Sequence, residues 1–409
     1  MWRKLFDPEI LFLIGTIQAL FPYILWQSQG LNESYRYEIT ALPIVIWSIG
    51  YFSFWLGARF VRKKKLITLE SIQNVSLKKI KLATRITISA IIFQVILAVQ
   101  VYGILPIYGY TTGEITVSET NDLQRESGFG QFGILSSSLF FLNGLILLLI
   151  IKSLKSGQKP SYTFFIAVLV EVIGGLIAGK RQSLFITITF IICGLSVYFN
   201  DPAKPFLKFI GLPKSWFLRI LIGAGTLALL VYVFGYISSL RTGNIERSGF
   251  EEILGYLQLP LINLESQCEQ IGIGPYKYNL FYPISSLFPY RLYELVAPPL
   301  NELPYRPEPT IGAGFYGSLH WGLGFPGVVF FSFLFGFVSK YFYRKSFNKN
   351  IFHLLIYCQI SWTLLAAHSY NHFFNLIFLP LPAILFAIAC KLFFIPIGSP
   401  KTADINKSD

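Results

Sequence analysis

Several stretches of 18 or more consecutive residues carry no charged side chain, among them 86–103 and 133–151. Coiled as helices, such stretches reach across the ~30 Å hydrocarbon core of a bilayer, which takes about 20 residues. The composition agrees with that reading. Hydrophobic residues make up 53% of the 409 and charged residues 13%, about half the ~25% charged share of soluble domains. The mean hydropathy is +0.55. A soluble enzyme and a disordered chain are excluded. A disulfide-built fold is excluded too, because Cys193, Cys358 and Cys390 lie in apolar segments and leave Cys268 alone in a polar one.

Ten apolar runs qualify as spans, at about 10–27, 39–59, 86–103, 133–151, 161–179, 182–199, 217–239, 322–339, 351–367 and 374–393. The expected fold is therefore all-α, a single polytopic membrane domain over 1–409. The first run follows Arg3 and Lys4 but is too long for a signal-peptide core and lacks a small-residue cleavage site, so it reads as a retained span. Two outer loops stand out, 104–132 and 240–321. The second is expected to hold short interfacial helices, with 250–266 amphipathic and lying over the membrane. Residues 279–299 tempt an eleventh span, but Pro283, Pro289 and Arg291 oppose it and an interfacial or re-entrant segment is expected. The basic, aromatic stretch 203–219 reads as a similar element on the other face.

Lys and Arg orient the spans. With the N-terminus in the cytoplasm, 25 of the 34 basic residues fall on the cytoplasmic side and 9 outside, while 14 of the 21 acids fall outside and 6 inside. The net charge of +13 is thus a topology signal rather than a nucleic-acid footprint. Both termini are expected in the cytoplasm.

Polar residues inside or beside apolar runs need a reason. Glu171 sits in the middle of the fifth run. It is either a carboxyl that helps helices associate or a group serving a cavity. Lys180 and Arg181 form the tight turn between the fifth and sixth runs, on the side where positive charge is depleted. They either snorkel to lipid phosphates or anchor an anionic head group, which a guanidinium grips as a fork. Arg241 and Arg247 follow the seventh run and, with Lys180 and Arg181, would present several positive charges to one pyrophosphate; the bland reading is a solvated loop balanced by Glu246, Glu251 and Glu252. Arg291 and Arg306 are weaker candidates of the same sort. Of the histidines, His353 takes no role, while His320, His368 and His372 lie at the outer rim, suited to acid–base work or phosphate hydrogen bonding. The spacing of His368 and His372 invites a metal, but no Cys or acid completes a ligand set. No nucleotide-type phosphate loop, no G-x-S-x-G elbow and no H-E-x-x-H occurs. An enzyme of this composition would take activated substrates from the membrane.

The pattern resembles the O-antigen polymerase family, the bacterial oligosaccharide repeat-unit polymerases. The residues that carry the resemblance are the ten spans, the basic hairpin GGLIAGKRQSLFI, the large outer loop in the C-terminal third, and EPTIGAGFYGSLHWGLGFPGVVFFSFLFGFV leading from that loop into a Gly/Phe-rich span. Arg241 and Arg247 lack a glycine eleven residues on, a departure from the R-x10-G pattern of some members.

The resemblance implies a metal-independent glycosyltransferase at the outer face of the bacterial inner membrane. It would join oligosaccharides carried on undecaprenyl diphosphate, with membrane lipids, a chain-length regulator and a flippase as partners and with no cofactor or nucleic acid. Arg181 and Arg241, aided by Lys180, Arg247 and Arg291, would stabilise the diphosphate leaving group. Glu171, His320, His368 or His372 would serve the acceptor hydroxyl, and Tyr290 among the aromatics of 276–293 would stack on sugar. Two alternatives remain. A ligase would share the fold and differ in acceptor, and a flippase of lipid-linked sugars would usually show repeated halves and short outer loops.

Overall fold

The computed structural model describes residues 2–29, 39–61, 76–104, 108–109, 131–177, 182–199, 224–225, 228, 232, 249–275, 314–347, 350–367 and 379–392. Among them there is no strand. The helices are α1 (Trp2–Leu5), α2 (Pro8–Gln29), α3 (Ala41–Phe60), α4 (Leu77–Tyr102), α5 (Gln131–Ser156) and α6 (Tyr162–Ile177). They continue as α7 (Gln182–Tyr198), α8 (Gly249–Ile271), α9 (Gly314–Ser346), α10 (Ile351–Leu365) and α11 (Pro380–Leu392). Nine of the ten apolar runs fall on these helices; the run 217–239 lies outside the described residues apart from isolated positions. Among the described residues, Ala41–Phe60, Leu77–Leu97, Leu135–Ser156 and Gly314–Ser346 are helices long and apolar enough to cross a membrane, and Pro8–Gln18, Tyr162–Gly175, Ile186–Tyr198, Ile351–Leu365 and Pro380–Cys390 are shorter apolar helical stretches.

The helices pack as two groups joined by α10. In one, α5 meets α4, α6, α7 and α11; in the other, α9 meets α3, α8 and α2. Helix α10 touches α9, α7, α2 and α11, which is why most of its residues are buried, Tyr357, Cys358 and the polar Gln359 included. The same logic governs α5. Its run Leu145–Ile151 is buried on every side, as expected of a helix that is hydrophobic all round.

Helices α3 and α9 cross at very short range because glycines stand at the contact. A Cβ on Gly57 would lie 1.9 Å from the Phe333 carbonyl oxygen, and one on Gly336 would lie 1.9 Å from that of Phe54. Small residues that let backbones touch are the usual way apolar helices associate without a hydrophobic driving force between them.

Charged and hydroxyl groups tie one end of the bundle. Lys340 Nζ donates to Asp7 at 2.7 and 2.8 Å and to Glu9 at 2.8 Å, and Arg59 stands 3.5 Å from Glu9. The Tyr357 hydroxyl donates to the Phe6 carbonyl and Arg344 to that of Val61. The starts of α2 and α10 and the ends of α3 and α9 therefore meet there. The opposite end joins the start of α9 to the end of α10, where the Phe315 N–H donates to the Ala367 carbonyl at 2.9 Å.

Two features depart from the sequence reading. Helix α9 begins at Gly314, eight residues ahead of the expected 322, so residues 314–321 belong to a buried helix rather than to a loop. Helix α8 covers the expected 250–266 and extends beyond it. It runs for 23 residues, and 260–268 are buried on every face between α2, α3 and α9, polar side chains included.

Candidate functional site

Helix α9 is broken inside its apolar length. Gly324 adopts φ 63°, ψ −160°, and Pro326 follows two residues later, so the helical ladder cannot run through. The gap is filled by the turn that ends α8. The Phe325 N–H donates to the Ile273 carbonyl at 3.2 Å, and the backbone of Gly274 and Pro275 lies so close that a Cβ on Gly324 would stand 2.8 Å from the Pro275 nitrogen. Position 324 thus excludes any side chain twice, by its left-handed backbone and by the chain packed against it.

His320 lies one turn ahead of the break and is fully buried. Its ring faces the backbone of Gly272 without closing a full hydrogen bond. One turn earlier, Tyr316 packs edge-on to Phe12 and Phe315 and tilted against Trp47, and its hydroxyl has no hydrogen-bond partner among the described residues. On α8, Gln267 Oε1 is likewise buried and unpaired. Buried polar atoms are nearly always satisfied, and α8 and α9 hold several that are not.

The polar run of α8 is fastened elsewhere. Thr40, the N-cap of α3, makes no capping bond of its own. Its N–H and hydroxyl instead donate to Glu265 at 2.7 and 2.8 Å, which puts a carboxylate at the positive end of the α3 dipole. One turn on, burial pushes the Cys268 thiol up to about 12, and the nearby Glu265 carboxylate adds to the effect. Cys268 is accordingly an inert, apolar filler at neutral pH.

Glu171 occupies a second buried polar focus, between α5, α6 and α7. Its carboxyl faces the Thr187 hydroxyl without a full hydrogen bond, and that hydroxyl donates to Asn143 Oδ1 at 2.9 Å. Glu171 and His320 stand in different helix groups, and the structure does not bring them together. Lys180, Arg181, Arg241, Arg247, Tyr290, Arg291, Arg306, His368 and His372 lie outside the described residues. Ala367, which precedes His368, is bonded to the start of α9, and Pro275, from which the segment holding Tyr290 and Arg291 departs, lies against Gly324. Among the described residues, no three His, Cys, Asp or Glu side chains are grouped to hold a metal ion.

Sequence reasoning missed the break at Gly324 and the Thr40–Glu265 clasp. The first has a local signal, the Gly-Phe-Pro triplet inside an apolar run. The second has none, because Thr40 and Glu265 are 225 residues apart. Compared with protein-family models, with curated proteins and with solved structures, the chain matches none.

Proposed function

We propose that this chain is a membrane-embedded glycosyltransferase that polymerises oligosaccharide repeat units carried on undecaprenyl diphosphate, at the outer face of the bacterial inner membrane. The observation that carries the reading is the broken helix. Irregular backbone at membrane depth is tolerated only where protein covers it or where it lines a polar cavity, and broken helices are a common way to build a binding site among apolar spans. Here the break at Gly324 is met by the turn that ends a polar, partly buried helix and has His320 one turn away. A lipid-linked sugar needs such a surface, polar at the sugar and apolar along its isoprenoid tail.

In this reading His320 takes the proton of the acceptor hydroxyl as its oxygen attacks the anomeric carbon of the growing chain. The bond from that carbon to the diphosphate breaks, and undecaprenyl diphosphate departs with its charge stabilised by Arg181 and Arg241. The excess of basic residues on the side of the N-terminus, 25 against 9, supports an orientation that puts these two arginines outside.

The test compares lipid-linked glycans in a strain lacking the protein with those in strains carrying wild type, Arg181→Ala or Arg241→Ala. Loss of polymer with accumulation of single lipid-linked units is expected for the deletion and for both variants. Accumulated unattached polymer would point to a ligase instead. Translocation of lipid-linked units by the purified protein without bond formation would point to a flippase. Full-length polymer from both variants would remove the arginines from the mechanism.

A further inference from the structure

We infer that the outer seam of α4 and α6 binds an anionic phospholipid, with its phosphate held by Lys78, Lys81 and Arg85 and its acyl chains laid along the two helices. The inference rests on the membrane reading above but concerns a surface away from the proposed sugar site.

Spacings of three and four residues place Lys78, Leu82, Arg85, Ser89, Phe93 and Ile96 on one exposed stripe of α4. Lys81 stands four residues before Arg85, beside the same stripe. The stripe is therefore cationic in its first turns and apolar beyond them. Helix α6 carries the matching stripe: Tyr162, Phe165, Leu169 and Ile173 are all exposed large side chains, Tyr162 at 64%. The two helices pack on each other and on α5, so their outward stripes lie side by side.

One contact sets them in register. The Arg85 guanidinium donates to the Tyr162 hydroxyl at 2.8 Å and lies 5.9 Å from the centre of its ring. From that pair, Arg85 to Ile96 on α4 and Tyr162 to Ile173 on α6 both cover eleven residues, about 16 Å of helix. Half of a ~30 Å hydrocarbon core is about 15 Å. The seam thus has the depth of one leaflet, with a tyrosine and three cations at headgroup level, where amphipathic aromatics and snorkelling cations belong.

The charge is unopposed on these two helices. Helix α4 contains no acid, and the single acid of α6, Glu171, is fully buried on another face. Lys78 also stands in the first turn of α4, at the positive end of its dipole, where a positive side chain is unfavourable unless an anion neutralises it. Tyr162 holds Arg85 but brings no charge. A phosphodiester satisfies all three cations and, unlike a free anion, brings acyl chains for Phe93, Ile96, Phe165 and Leu169. Clusters of basic residues bordering an apolar helix bind anionic lipid in this way.

The full-length protein is reconstituted into vesicles of phosphatidylcholine alone or of phosphatidylcholine with phosphatidylglycerol, and retained lipids are counted by native mass spectrometry after extraction. Wild type is expected to retain phosphatidylglycerol over phosphatidylcholine, and the Lys78→Gln, Lys81→Gln, Arg85→Gln triple variant to lower that preference on the order of 100-fold. A control carrying Lys155→Gln, Lys159→Gln and Lys345→Gln has the same net charge and should keep it. No preference in wild type, or an equal loss in the control, would overturn the site. Failure to enter either vesicle would refute the membrane reading itself, and the lipid site with it.

Discussion

Replacing Gly336 by Ala pits two effects of opposite sign against each other. In a helix interior, Ala is more favourable than Gly by about 1 kcal/mol, so propensity alone makes the variant more stable. The crossing with α3 says otherwise. The new Cβ would stand 1.9 Å from the Phe54 carbonyl oxygen and 3.0 Å from the Ala58 nitrogen, whereas a carbon and a carbonyl oxygen settle at roughly 3.3 Å. The helices must part by about 1.4 Å. Because the obstacle is backbone, no rotamer change relieves it, and the cost belongs at the upper end of the 1–3 kcal/mol usual for overpacking. The net expectation is a loss of about 2 kcal/mol, read by equilibrium unfolding in mixed micelles. Gly57→Ala meets the Phe333 oxygen at 1.9 Å and should cost the same. One separation of the helices relieves both clashes, so the double variant should lose only about 1 kcal/mol, less than either single one. Gly225→Ala is the control, since its Cβ meets nothing within 4 Å. A stabilised Gly336→Ala, or a double variant as costly as the sum of its parts, would refute the reasoning.

Lys340→Ala should destabilise by about 3–5 kcal/mol in the same assay, because it leaves the largely buried Asp7 and Glu9 side by side, with Arg59 at 3.5 Å from Glu9 as their remaining cation among the described residues; a loss below about 1 kcal/mol would show that the cluster is solvated. Cys268 should resist maleimide in the native protein. A thiol moved from 9.0 to about 12 holds about a thousandfold less thiolate at neutral pH. Its folded-state pKa is raised, so the stability tied to the neutral thiol is present below pH 9 and is lost as pH rises from there through 12. Mass-spectrometric labelling of Cys268 as fast as in the unfolded chain at pH 7 would contradict this.

The apolar runs were legible because a helix buried on most sides is written in its own residues, as at Leu145–Ile151. What stayed hidden depends on partners far away in the chain. Residues 314–321 read as a glycine-rich loop from their local propensity, yet Phe315, Tyr316, Leu319, His320 and Trp321 are all buried, and that packing overrides the three glycines nearby. The amphipathic pattern of 250–266 suggested a helix lying over the membrane, and nothing local marks its polar residues as buried. Glu265 is instead taken up by the start of α3. Lys340 counted as a topology charge, and its role as the centre of an ion cluster required Asp7 and Glu9, more than 330 residues earlier. The candidate site was legible only as scattered polar residues. Of those within the described residues, His320 has a structural context that sequence alone did not supply.

The two ends of the α2–α3–α9–α10 group differ in what holds them, and under the proposed function the difference bears on where a substrate would enter. At the Lys340 end, four charged side chains and two backbone-directed bonds from Tyr357 and Arg344 tie four helix ends together. Partners in a network of this kind, once desolvated, cannot be separated singly without leaving a buried charge. At the His320 end the fastenings among the described residues are neutral backbone bonds, of roughly 1 kcal/mol net each, and the Glu265 clasp on Thr40. The same end holds the helix break and the unpaired atoms of His320, Tyr316 and Gln267. Local opening follows the weaker contacts. Among the described residues the turn Gly272–Pro275 is held to α9 by the Phe325–Ile273 hydrogen bond, and under the proposed function its release exposes polar atoms that a sugar hydroxyl would satisfy. Under the proposed function, access from the His320 end is the low-cost route, and the orientation proposed from the loop charges puts that end outside.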